Sequence, residues 1–334
     1  MTGLFARIFV SVAPSSWRLV LGRAAIAAAL AILPGVLGNG VWAAEPLQLR
    51  LAHVATEGSE IGRAAQRFAD ELEAVSAKAM HVDIHPRSTL GGMSQLWAQI
   101  GAGAIDLYPI DVGAASLLKA GRSLNVMFVP FLFRDQAHYD RFIESPLFVE
   151  EMARIDQASK THFVGLVGHR SPRNIATTKR PIRRAADLAG VQMRVPPSRV
   201  FIKTYEAWGA VPVPVPPHEL VTALRSGMVE GQSNGITSVY RPDLYRNGNP
   251  PLRFVTPLNW AFSSVGLWVS AARWATLSED QRGWLVQAAT RAYAFSAEDS
   301  AARLAEALQS YLPTALRSST SATPIEPAFC MLGR

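Results

Sequence analysis

The sequence predicts an α/β protein of two similar lobes, each built on a mixed, largely parallel sheet. Three observations carry that prediction. Segments with the two-residue alternation of a half-buried strand trade places with segments whose apolar residues recur at helical spacing, the signature of strands joined by helices. A helix–glycine–strand unit occurs twice, at 95–108 (QLWAQIGAGAIDLY) and 219–234 (ELVTALRSGMVEGQSN), about 124 residues apart. Finally, 334 residues, 49% of them hydrophobic, supply core enough for about two domains. The lone Cys330 excludes an internal disulfide framework and a Cys-rich metal centre.

Residues 1–43 hold Arg7, Arg18 and Arg23, no acid, an apolar run from Ala24 to Leu37 and the small-residue exit Val41-Trp42-Ala43-Ala44. The run falls short of the roughly 20 apolar residues of a membrane span. Positive, then apolar, then small is the order of a secretory signal peptide. Its removal takes three of the seven net positive charges with it and leaves a mildly basic, exported chain from about Ala44. LQLRLAHV (47–54) then alternates as a strand. Behind Ser59, a suitable helix cap, Ile61, Ala64, Ala65, Phe68, Leu72 and Val75 line one helical face. MHVDIHP reads as a second strand, STLGG as a loop, and Ser94–Ile100 as a helix that stops at the glycines of GAGAIDLYPI, where a third strand opens.

Motifs for catalysis or cofactor binding are missing. There is no HExxH, no GK[ST] phosphate loop and no GxSxG elbow, and GAGA follows a helix and precedes a strand, the reverse of the order that cradles phosphate. His81, Asp83 and His85 share one face of a strand, an arrangement that suits a metal but is far more often an exposed polar face; no metal or cofactor is expected. Lys and Arg are scattered, and the one cluster, Lys179-Arg180 with Arg183-Arg184, reads as a solvated turn around Pro181, so nucleic acid is not an expected partner. In VQMRVP (191–196) the parity of Arg194 differs from that of Val191 and Met193, which frees its guanidinium from the aliphatic core. An arginine near the end of such a strand suits bidentate capture of a carboxylate, and ligands of open α/β sheets sit outside the carboxyl ends of the strands.

Six segments carry a resemblance: LRLAH at 49–53, STLGGMSQLWAQIGAGAIDLY at 88–108, VPFLF at 129–133, ATTKRPIRRAADLAGVQMRVP at 176–196, WGAVPVPVPPHELVTALRSGMVEGQSN at 208–234 and VSAARWATLSEDQR at 269–282. In this order they resemble the periplasmic solute-binding subunit of tripartite ATP-independent periplasmic (TRAP) transporters, the DctP family. The resemblance implies a two-lobed periplasmic-binding-protein-like clamp with a ligand cleft between the lobes. It further implies a monomeric periplasmic protein, not an enzyme, that closes on a small organic acid anion and delivers it to small and large membrane subunits. On the family's motifs Arg194 falls on the arginine that pairs with the ligand carboxylate, Asn234 on an asparagine contact and Arg173 on a second arginine, with Arg170 close enough to compete. The alternatives are a binding protein of an ABC or tricarboxylate transporter and an exported enzyme acting on a small acid.

Within that framework the first lobe is expected over 44–170, completed by about 259–275, and the second over 171–258. Helices follow over 276–311, then an atypical Ser/Thr/Pro-rich tail at 312–334. Glu219 and Glu230 are expected as helix-cap and interlobe contacts. Phe128, Phe131, Trp208, Trp260 and Phe262 are candidates for the cleft, each individually more at home in a core. Pro197 and Pro217 stand where binders of sugar acids in the family carry polar and aromatic side chains, which implies a smaller or more apolar acid.

Overall fold

Strand β1 (Leu47–Ala52) leads through helix α1 (Glu60–Val75) to β2 (Met80–His85), and α2 (Met93–Gly101) leads on to β3 (Leu107–Asp111). Two 3₁₀ segments, Val112–Leu117 and Arg122–Phe128, and helices α3 (Gln136–Ile143) and α4 (Pro146–Ser159) bring the chain to β4 (Thr161–His169). The second series is β5 (Arg173–Thr177), β6 (Gln192–Val195), α5 (Arg199–Ala207), β7 (Val211–Pro214), α6 (Leu220–Arg225), β8 (Gly231–Gly235), α7 (Ile236–Val239) and β9 (Phe254–Thr256). Strand β10 (Ser264–Ser270) and helices α8 (Ala271–Thr276) and α9 (Glu279–Ala315) follow. These elements come from a computed structural model that describes residues 45–239, 244 and 250–315. The expected signal peptide at 1–43 and the tail from 316 onward lie outside the described residues.

The strands form two five-stranded sheets of matching order, β2-β1-β3-β10-β4 and β7-β6-β8-β5-β9. In each, the first three strands are parallel, and one strand, β10 or β5, runs against its neighbours on both sides. Four strands of each sheet therefore point the same way, and the sheets are mixed but largely parallel in direction. The reversed strands are those the chain reaches by crossing between sheets: residues 170–172 join β4 to β5, and residues 257–263 join β9 to β10.

The repeated sequence unit is a repeated structural unit. After α2 the chain turns at Gly103 (φ +74°), and after α6 it turns at Gly227 (φ +73°). This left-handed conformation costs any residue with a Cβ, so glycine stops both helices in the same way. Ile105 and Val229 are then buried. The next amide of each unit bonds to the strand that stands second in the order of its own sheet, Asp106 N to Arg50 O of β1 at 2.9 Å and Glu230 N to Gln192 O of β6 at 2.7 Å. Helix α1 starts as the sequence predicts, with the Ser59 hydroxyl accepting from Gly62 N. Its buried face, including Phe68 and Leu72, packs on Leu49 and Leu51 of β1 and on Leu285 and Ala288 of α9. Each such side chain contributes about 1.5–3 kcal/mol by leaving water.

Candidate functional site

A cavity of about 150 Å³ lies between the two sheets, at the ends of their co-directional strands. The first lobe lines it with residues following β1 (Val54, Thr56) and the end of β3 (Ile110, Asp111); the second lines it with Arg194, Gln232 and Asn234. Three arginines reach it, and they differ in how they are partnered.

Arg170, in the crossing between β4 and β5, is fully engaged. Its Nη1 meets Asp111 Oδ2 at 2.5 Å, its Nε meets Glu60 Oε2 at 3.2 Å, and its Nη2 donates to Asn234 Oδ1 at 2.9 Å. Burial works against its charge, but Asp111 and Glu60 outweigh burial and hold its pKa above the ordinary arginine value. Glu60, at the first turn of α1, is the centre of a clasp: it accepts from Ser171 N and Oγ, from the Thr237 hydroxyl, and from Ser238 Oγ at 3.1 Å. Burial pushes its carboxyl up, yet Arg170 and these donors hold it below the usual carboxylate range. The clasp ties the first lobe to α7 of the second.

Arg173 and Arg194 lack such partners. Arg173 opens β5, is 5% exposed, and donates from Nη2 to Ser233 O at 2.5 Å; its guanidinium lies 4.8 Å from the ring centre of Phe201. Arg194 is 4% exposed and donates from Nε to Val215 O at 2.7 Å. Arg173 Nε and Arg194 Nη2 are buried with no hydrogen-bond partner, and neither residue has a carboxylate among the described residues. Burial first, and then Arg170, push Arg173 down to about 10; burial first, and then Arg173, push Arg194 down to about 9. Guanidiniums with these values stay charged at neutral pH, so the shifts record two desolvated cations without a counter-ion.

Residues Arg194, Asn234 and Arg173, singled out in the sequence, thus converge on one cavity, with Arg170 beside them. Asn234 Oδ1 is held by Arg170 and by Gly235 N, which leaves its amide nitrogen as the group to offer. Gln232 escaped the sequence reading. It is fully buried, lines the cavity, and neither its Oε1 nor its Nε2 has a partner. The signal was present in its spacing: two residues before Asn234 on a strand, it shares that residue's face.

Of the aromatic candidates, Phe128 lines the cavity. Trp208 and Trp260 pack with Phe201 and Tyr205 in the second-lobe core, Phe262 lies in the first-lobe core, and Phe131 is partly buried against the former. Phe201 lines the cavity as well. The interlobe role expected of Glu230 is not observed. At the amino end of β8 it faces away from the cleft and pairs with Lys179 at 3.0 Å inside the second lobe, while Glu60 makes the interlobe bonds. Glu219 occupies the N-cap position of α6, but its side chain makes no capping bond. His81 turns to Glu73 and His85 lies beside Asp83; among the described residues no group of three or more His, Cys, Asp or Glu is arranged to hold a metal.

The model of bacterial extracellular solute-binding protein family 7, DctP, matches residues 51–326. The chain belongs to this family. A solute-binding protein of Roseobacter denitrificans is 28% identical over 249 residues, 75% of this chain and 74% of that one. Among solved structures, the sugar acid binding protein of Advenella mimigardefordensis in complex with galactonate superposes with a TM-score of 0.73 at 23% identity, covering 80% of this chain and 84% of the other. A TRAP periplasmic solute binding protein of Sulfurospirillum deleyianum with bound succinate gives a TM-score of 0.73 at 21% identity, covering 85% and 90%. The two-lobed fold of these binding proteins is the fold of this chain, and the role of a family 7 member is to bind a solute. Among the described residues no helix is long and apolar enough to cross a membrane.

Proposed function

We propose that this family 7 protein is the periplasmic ligand-capturing subunit of a TRAP transporter. In this reading it binds a small organic anion by its carboxylate, delivers it to the small and large membrane subunits, and releases it chemically unchanged. The observation that carries this reading is the pair of buried guanidiniums, Arg173 and Arg194, that face one interlobe cavity without a carboxylate. A ligand carboxylate would take the free Nε of Arg173 and Nη2 of Arg194, with the amide of Asn234 alongside. Closure of the lobes would then strengthen these bonds by excluding water. Differential affinity for the closed form is what a transporter partner can read. An N-terminal signal peptide over 1–43 would place the protein in the periplasm.

Titration calorimetry of the purified protein against a panel of small carboxylates tests the reading. One class of acid should bind, and Arg194→Ala should weaken it by about 2–5 kcal/mol, roughly 30- to several-thousand-fold. Affinity of Arg194→Ala within threefold of wild type would remove Arg194 from the site. Recovery of a chemically altered ligand after long incubation would make the protein an enzyme.

A further inference from the structure

We infer that the ligand of this cleft is a compact, singly charged 2-hydroxy acid whose remainder is hydrocarbon. The inference rests on the carboxylate-binding reading above and narrows it with three observations: the charge count of the cavity, an unpartnered amide, and the composition of the opposite wall.

Of the strongly charged side chains lining the cavity, the guanidiniums of Arg170, Arg173 and Arg194 face the carboxylates of Glu60 and Asp111, and the remaining titratable lining group, His218, is half-exposed at the edge. Three positive charges against two negative leave one. A monoanion brings the buried cluster to neutrality. A dianion could place one carboxylate on each of Arg173 and Arg194, but it would carry the cluster past neutrality to a net charge of about −1, an unfavourable state for largely buried ions.

Gln232 decides what sits next to the carboxylate. It is the register partner of Arg194 across β6 and β8, so the two side chains leave the same face of the sheet side by side. Its amide oxygen and nitrogen are both open. A carboxylate or a keto oxygen can only accept, and would satisfy the nitrogen alone. A hydroxyl both accepts and donates, and so satisfies both ends of the amide. With the carboxylate on Arg194, a hydroxyl on the adjacent carbon is the group within reach of Gln232.

The first lobe faces this polar corner with Val54, Ile61, Met93 and Ile110. Its charged lining groups and Ser59 are already spoken for, which leaves the Ser116 hydroxyl as the polar side chain on offer there: Ser59 bonds Thr56 O and Gly62 N, Glu60 holds the clasp, and Asp111 bonds Arg170 and Gly113 N. A polyhydroxylated tail would give up its water there and find few partners in exchange. The volume of about 150 Å³ also lies well below the roughly 300–1,000 Å³ of drug-sized sites. The cleft is therefore matched to a different acid from the galactonate and succinate of the two structural neighbours.

Titration calorimetry with 2-hydroxyisovalerate, 2-oxoisovalerate, isovalerate, succinate and galactonate separates the terms. The expected result is that 2-hydroxyisovalerate binds at least tenfold more tightly than each of the other four. Gln232→Leu should then bring the hydroxy acid and isovalerate within threefold of each other. Succinate or galactonate binding as tightly as the hydroxy acid overturns the inference, as does equal binding of 2-oxoisovalerate or isovalerate. These comparisons use the wild-type protein and do not depend on the variant folding. Failure of all five acids to bind would overturn the carboxylate reading itself, whereas binding in a different order overturns only this narrower assignment.

Discussion

Strand β3 of the first lobe ends in Asp111, whose carboxylate is taken by Arg170. The corresponding strand of the second lobe, β8, carries Gln232, whose amide is taken by nothing. The two strands follow equivalent glycine turns in sheets of equivalent order, so the difference lies in side chains and not in the framework. The first lobe offers the cleft charged groups that the protein itself has satisfied, together with a largely apolar wall. The second offers groups left for something else. Equal scaffolds can therefore divide the work of a clamp, one half supplying shape and the other supplying the charge that selects.

That division can be broken at its strongest point. Glu60→Ala strips the clasp of the carboxylate that Ser171, Thr237 and Ser238 share and leaves Arg170 with Asp111 as its one carboxylate among the described residues; loss of about 3–5 kcal/mol of stability is expected in chemical denaturation. A loss under about 1 kcal/mol would mean that the clasp does not hold the lobes. Arg194→Met should act in the opposite direction. The native pKa of about 9 lies below the ordinary 12.5, so the cost of the buried charge is fully present at all pH values below about 9 and recedes only above it. Without ligand, the methionine variant should be more stable at pH 7, by about 1–3 kcal/mol, while losing carboxylate binding. An unchanged melting temperature would show that Arg194 already has its counter-charge.

The smallest effect at neutral pH belongs to His53, just after β1 and 1% exposed. Burial pushes its pKa down to about 4, below the 6.5 of an unfolded histidine. The unfolded chain therefore takes the proton first, and stability is lost as pH falls from about 6.5 to about 4. His53→Leu should flatten that fall by about 1–3 kcal/mol at pH 4 and change little at pH 7, as read from unfolding at the two pH values. An unaltered acid slope would locate the sensitivity elsewhere.

Much of this arrangement was legible in local pattern. The alternation of VQMRV freed Arg194 from the core, Ser59 marked the start of α1, and the repeated glycine stop announced two similar sheets. What local pattern does not encode is which arginine is already partnered. Arg170 and Arg173 stand three residues apart, and only the fold brings Glu60 and Asp111, 110 and 59 residues away in sequence, to the first and not to the second. Glu230 misled for a related reason: its place in the repeat is clear, but the repeat does not say which end of the strand faces the cleft. Gln232 was passed over because a glutamine on a strand is ordinarily solvated, and its lack of partners appears only once the second lobe is folded around it.

The placement of β10 sets a timetable. It lies between β3 and β4, and its first residue follows the last of β4 by 95 positions. A nascent first lobe therefore has no seat for β4 until Ser264–Ser270 has been made, roughly 5–20 s later at ordinary synthesis rates. Until then β3 keeps an open edge and the first lobe cannot finish folding at the ribosome. In the proposed exported chain, which would be threaded across a membrane in extended form, that delay would be useful: the strand that completes the first sheet would also keep the unfinished polypeptide pliable enough for export.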